Sequence, residues 1–220
     1  GQISSAIDGT AITVVMPHGT DVTNLTPTVE VSLAASYVSD PEDTKDFTNP
    51  VTYYVISESE SEYNEYYVTV QIAEPSITAC PGPYDFNVTG WTASTSQTCS
   101  VSGSNLVADI SVSVDAPFEV SNNNSTWSTT TTFTKTGFTA SGTLYVRYNP
   151  TSGNGDDTGT VTLSSEGADN KSFTVNGTAN PAISSPSNKT QTVVQNVAIS
   201  DIVFTLSGAA TTATLSGSLP

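Results

Sequence analysis

The side chains on which most enzyme chemistry rests are scarce in this chain. It has one histidine, two cysteines, one methionine and five basic residues. A transition-metal or thiol centre would have almost nothing to draw on. Five Lys and Arg against 21 Asp and Glu leave a net charge of -16. That charge repels the phosphate backbone of nucleic acid and anionic lipid alike, so no nucleic-acid partner is expected. No apolar run approaches the about 18 residues that span a membrane as a helix, so direct membrane insertion is not expected either. Helical periodicity is also missing: no window sustains apolar residues at i, i+3, i+4 and i+7. The chain opens Gly1-Gln2-Ile3, without an initiator Met or a basic leader, and reads as an internal or processed piece of something longer.

What fills the chain instead is Ser and Thr, 67 of 220 residues, with Pro, Gly, Asn and Asp recurring between short β-branched runs. That punctuation is the pattern of short strands in an all-β sandwich. Three units are expected. The first, 1–74, is a small β-sandwich module with strands at 12–16, 29–33, 51–56 and 66–72. Apolar residues on both parities of 51–56 suggest a strand covered on both faces, and the acidic run 57–64 suggests a hairpin loop. Glu74-Pro75 reads as a linker, because Pro cannot continue a ladder. The second unit, 75–180, has candidate strands at 84–88, 99–104, 110–114, 118–121, 129–133, 143–148, 158–163 and 172–175, the size of one immunoglobulin-like sandwich. In the third, 181–220, strands are expected at 192–194, 202–206 and 212–215. A stretch of roughly 40 residues cannot bury an independent core, so it reads as the incomplete start of a further sandwich. A disulfide is the plain reading of Cys80 and Cys99, two buried free thiols the alternative. An oxidising, extracellular setting suits the composition.

Several strings carry a family resemblance. In the first unit these are Ile12-Thr13-Val14-Val15-Met16-Pro17-His18-Gly19 and Asp46-Phe47-Thr48-Asn49-Pro50-Val51-Thr52-Tyr53. In the second they are Ala116-Pro117-Phe118-Glu119-Val120-Ser121 and Leu144-Tyr145-Val146-Arg147-Tyr148-Asn149-Pro150. In the third they include Ser216-Gly217-Ser218-Leu219-Pro220. Together they resemble the tandem immunoglobulin-like and PKD-like modules of large Bacteroidota cell-surface adhesins exported by type IX secretion, gliding adhesins among them. Similar modules also serve as spacers in secreted glycanases. The resemblance implies an extracellular or cell-surface location and no catalytic residues.

The chemistry candidates are few. His18 and Asp21 could begin a Ser-His-Asp arrangement, but no Gly-x-Ser-x-Gly elbow exists and His18 sits in a turn string. Paired carboxylates could serve glycoside cleavage, yet the acid lies mainly in loops. Asp40, Glu42, Asp43 and Asp46 fall within one loop and could supply oxygens to a structural calcium ion; Asp156 and Asp157 follow Asn154 in another. Solvated surface acid is the plain alternative for both. Tyr53, Tyr54, Tyr63, Tyr66 and Tyr67 are dense, with Trp91 and Trp127 apart. Such aromatics either fill a sandwich core or present stacking surfaces to sugar rings. Lys45, Lys135, Lys171 and Lys189 show no spacing that supports isopeptide cross-links.

The reading is therefore an all-β chain of tandem immunoglobulin-like β-sandwich domains, a structural or adhesive stalk segment of a bacterial surface protein. A carbohydrate-binding or spacer module of a secreted glycanase is the alternative. Expected partners are the neighbouring domains of the same chain, and surface glycans or other cell-surface proteins. No cofactor is expected beyond structural calcium.

Overall fold

A computed structural model describes residues 1–32, 35–37, 43–78, 80–151, 155–183, 191–192, 194–198, 200–207 and 212. Among the described residues every regular element is a strand. The first sheet contains β1 (Ser4–Asp8), β2 (Ala11–Met16), β3 (Ser36–Tyr37), β4 (Val51–Ile56) and β5 (Tyr63–Ile72), in the order β1-β2-β5-β4-β3. Its central pair, β2 and β5, is parallel, and the other pairs are antiparallel. Alternation puts Ile12, Val14, Met16, Tyr53, Val55, Tyr66, Val68 and Val70 on one face. That face looks onto residues 25–32 across a cleft of about 850 Å³.

Two expectations change here. Residues 27–32 form no strand. Val29 and Val31 still turn toward the cleft while Glu30 and Ser32 are exposed, so burial alternates although no ladder forms. The strand β4 is covered unevenly: Tyr53 is buried on one face, while on the other Tyr54 is exposed between half-buried Thr52 and Ile56.

The next nine strands form a two-sheet sandwich. They are β6 (Ser76–Ile77), β7 (Tyr84–Thr89), β8 (Gln97–Ser104), β9 (Ile110–Val114), β10 (Phe118–Ser121), β11 (Thr130–Phe133), β12 (Ala140–Tyr148), β13 (Asp156–Ser164) and β14 (Lys171–Asn180). One sheet runs β10-β12-β8-β6 and the other β11-β9-β13-β14-β7. Inward residues alternate with Ser and Thr, as in Ile110, Val112 and Val114 against Ser111 and Ser113. The core includes Val101, Leu106, Phe118, Leu144, Val146, Tyr148, Val161, Leu163 and Val175, all essentially inaccessible. Burying each large aliphatic side chain contributes about 1.5–3 kcal/mol, which is why this half of the chain holds nearly all the packing. Cys80 and Cys99 are both buried and joined by a disulfide, with their Cα atoms 5.8 Å apart. Tyr148 fits because Gly177 lies across from it: a Cβ there would come within 2.5 Å of the ring.

Beyond Asn180 the described residues hold one short pair, β15 (Ala182–Ile183) with β16 (Leu206–Ser207). Of the strands expected in this region, Thr192, Val194 and residues 202–205 lie outside regular structure. Residues 213–215 lie outside the described residues.

The link between the first sheet and the sandwich is short and packed. β5 ends at Ile72 and β6 begins at Ser76. Ala73 and Pro75 are buried. Ala73 N–H donates to the Met16 carbonyl (2.9 Å), and Asn105 Nδ2 donates to the Glu74 carbonyl (3.2 Å). His18, in the turn after β2, sets the edge of its ring against Gly167 of the sandwich.

Candidate functional site

Strand register decides which tyrosines can meet a ligand. Tyr53 and Tyr66 are cross-strand partners on the cleft side, and Tyr53 is only 8% exposed. Tyr54, Tyr63 and Tyr67 point to the opposite face and are 40%, 64% and 46% exposed. A lone exposed aromatic needs no explanation. Three share one face of the β4–β5 pair, a platform in which Glu65 stands between Tyr63 and Tyr67. The rings of Tyr54 and Tyr63 lie 6.2 Å apart at 55°. Tyr67 Oη donates to Glu65 Oε2 at 2.6 Å, which fixes that ring and, by favouring the protonated phenol, raises its pKa. Glu65 itself faces Tyr54 across the ladder.

One end of the platform is the β4–β5 turn. Ser57 N–H donates to the Glu62 carbonyl and Glu60 N–H to the Ser57 carbonyl, with Glu60 at φ +55°. Ser57, Ser59 and Ser61 join their hydroxyls in a chain (3.1 and 2.6 Å). The intervening Glu58, Glu60 and Glu62 are left exposed. The expected loop thus covers 57–62, and β5 already begins at Tyr63.

The other aromatic candidates are placed differently. Trp127 lies under the Arg147 guanidinium, 4.3 Å from ring centre to Cζ. Arg147 in turn donates through Nε (2.7 Å) and Nη2 (2.6 Å) to Glu119 Oε2, while Asn149 Nδ2 donates to Oε1 (3.3 Å). One face of that indole is therefore occupied by the protein itself. Trp91 is exposed and lies in the sandwich, between β7 and β8.

The remaining candidates do not assemble. His18 Nδ1 lies 3.8 Å from Glu74 Oε2 and is buried without a hydrogen-bond partner among the described residues. Asp21 instead accepts from the N–H (2.9 Å) and hydroxyl (2.6 Å) of Thr23, which lowers its pKa. Of the calcium loop, Asp40 and Glu42 lie outside the described residues. Asp43 and Asp46 are described, and Asp46 accepts from the hydroxyl (2.6 Å) and N–H (2.8 Å) of Thr48, which holds its pKa low. Asn154 of the second loop is outside the described residues, and Asp157 accepts from Tyr148 Oη at 2.5 Å. Among the described residues no three His, Cys, Asp or Glu side chains gather in a metal-binding group. No helix among them is long and apolar enough to cross a membrane.

Sequence reasoning missed the carboxylates that act as structural acceptors. Asp109 accepts from Lys135 N–H (2.9 Å), Asp115 from Thr160 N–H (3.0 Å) and Asp85 from Asn176 Nδ2 (2.8 Å). Their partners lie 26 to 91 residues away in the chain, so no local signal could have exposed them.

No curated protein matches the chain. Among solved structures, similarity extends to a Bacteroides ovatus xyloglucanase in complex with a heptasaccharide, at 12% identity and TM-score 0.31, covering 47% of this chain and 19% of that one. A putative glycoside hydrolase from Bacteroides thetaiotaomicron is similar at 12% identity and TM-score 0.31, covering 59% and 62%. Domains 4 and 5 of the S-layer protein SbsC are similar at 13% identity and TM-score 0.35, covering 76% and 90%. The chain thus spans about a fifth of the xyloglucanase and under two thirds of the hydrolase. Residues 1–70 match the family model described as SGBP, N-terminal.

Proposed function

We propose that this chain is a stiff, non-catalytic spacer segment of a cell-surface glycan-binding protein. The observation that carries this reading is the packed junction between the first sheet and the sandwich. Three linking residues, Ala73 to Pro75, are tied by hydrogen bonds to Met16 on one side and Asn105 on the other. A link of that length, anchored by two hydrogen bonds and with Ala73 and Pro75 buried, has little freedom to hinge, unlike the flexible linkers common between domains. The family match over residues 1–70 supports a glycan-binding parent, and so favours this setting over a gliding adhesin. The same match supports a surface location. The net charge of -16 opposes lateral self-association at short range, since salt screens it beyond about 8 Å. On this reading the segment works without catalysis and without a cofactor.

The test is ¹⁵N relaxation on the full chain. Strands β1–β5 and β6–β14 should report one shared, anisotropic tumbling tensor. Separate, faster correlation times for the two sets would overturn the spacer reading.

A further inference from the structure

We infer that the outward face of β4 and β5, formed by Tyr54, Tyr63 and Tyr67 around Glu65, binds a neutral polysaccharide. This rests on the proposed reading only in that the parent protein handles glycans. The platform offers what an uncharged sugar chain needs. Its ring faces are apolar and exposed, while its phenol and carboxylate oxygens meet hydroxyl groups. It is also ordered before binding: ladder register fixes the three backbones, and the Tyr67–Glu65 bond fixes one ring. A tyrosine has only two side-chain torsions to lose, so the ordering cost on binding is small.

Charge selects the occupant. Glu65 stands within the face, and Glu58, Glu60 and Glu62 crown its end, with no basic side chain on β4 or β5. An anionic polymer is repelled, as is a second copy of the same face. A neutral chain meets no such barrier, and carboxylates can accept its hydroxyl donors. A basic peptide would be attracted, but by Coulomb forces that salt screens, whereas stacking on a neutral chain is salt-tolerant.

The full chain should be run through native affinity gels containing xyloglucan, galactomannan or mixed-linkage β-glucan, with polygalacturonate as the anionic comparison. Retardation by at least one neutral polymer, insensitive to added salt, is expected, with none by polygalacturonate. Tyr54→Ala and Tyr63→Ala should each weaken it about tenfold, the loss expected of a central aromatic contact. Tyr63→Phe should retain it, because the ring face is kept, and Trp91→Ala should leave it unchanged. Unaltered melting curves would show that the alanine variants are folded. The inference is overturned by no retardation in any neutral polymer, or by equal retardation of the Tyr54→Ala/Tyr63→Ala double variant. It is also overturned by binding to polylysine in place of glycan, or by self-association that the same variants abolish. A single tumbling tensor without glycan binding removes the platform and leaves the spacer; binding with independent tumbling does the reverse.

Discussion

Gly167 offers a way to weigh the junction separately from the fold. Its φ is +76°, and a Cβ would come 2.5 Å from His18 Cδ2 and 2.7 Å from Nε2. Gly167→Ala therefore has two costs, a left-handed backbone and a displaced histidine. Gly137 isolates the first: its φ is +60° and nothing lies within 4 Å of its Cβ position. Each alanine should lower sandwich stability by about 1–2 kcal/mol through the backbone alone. For a domain of this size each 1 kcal/mol shifts the melting temperature by about 4–8 °C. Only Gly167→Ala should additionally disturb the contact with the first unit. Both tryptophans, Trp91 and Trp127, lie in the sandwich, so urea unfolding followed by their fluorescence reports that half. In a His18→Ala background the extra cost of Gly167→Ala should vanish, leaving the Gly137→Ala value. The resulting coupling should be about 0.5–3 kcal/mol, as for residues in direct contact. Equal costs for the two glycines together with zero coupling to His18 would refute a packed junction.

Three further outcomes follow from the sandwich. Burial, together with the bond to Asp157, raises the pKa of Tyr148 well above 10.0. Because the folded value exceeds the unfolded one, this stabilisation is complete below about pH 10 and is lost as pH rises beyond it. Absorbance titration should show Tyr148 ionising only with unfolding, and Tyr148→Phe should remove that late phenol and cost about 1–3 kcal/mol by stranding its acceptor; ionisation of all nine tyrosines before any unfolding would contradict it. Replacing Cys80 and Cys99 by Ser opens a loop with sequence separation 19 and should cost about 3 kcal/mol in urea unfolding, with no loss meaning that the bridge does not constrain the unfolded chain. Arg147→Lys keeps the charge but loses the planar group stacked on Trp127 and shared with Glu119. A loss of about 1–2 kcal/mol with altered Trp fluorescence is expected, and an unchanged spectrum would argue against the stack.

The sandwich was legible in the sequence because its strands have apolar residues facing in and Ser or Thr facing out. All eight strands expected between 84 and 175 coincide with β7–β14. The two residues of β6 offer too short a pattern to read. β1 is missed for a different reason: Ser4–Asp8 is an exposed edge strand with no buried side to impose alternation. Residues 29–32 show the reverse error, the expected Leu33 lying outside the described residues. Alternation reports which side chains turn inward, and Val29 and Val31 do so, but it cannot report whether a neighbouring backbone completes a ladder. The tyrosine platform was half legible. Alternation separates Tyr53 and Tyr66 from Tyr54 and Tyr67. With aromatics on both parities, only the placement of residues 25–32 over one face identifies the other as outward. Trp127 illustrates what stays hidden, since its cover comes from Arg147, two strands further along the chain.

The distribution of acid ties these observations together. In the sandwich, Asp85, Asp109, Asp115, Glu119 and Asp157 each hold a named hydrogen bond to a distant residue. Their charge serves the fold, and removing any one would leave a donor to find another partner. In the first unit, Glu58, Glu60 and Glu62 stand exposed on a single turn beside three exposed tyrosines. Fold stability does not require that arrangement, because the strands on either side are held by their own ladder and by the serine chain within the turn. An unneeded exposed aromatic surface on a sheet is a liability for association. Acid at its end and at its centre restrains that hazard without covering the rings. The combination keeps the face open to water and to uncharged polymers while rejecting copies of itself, which a surface used only as a spacer would have no reason to maintain.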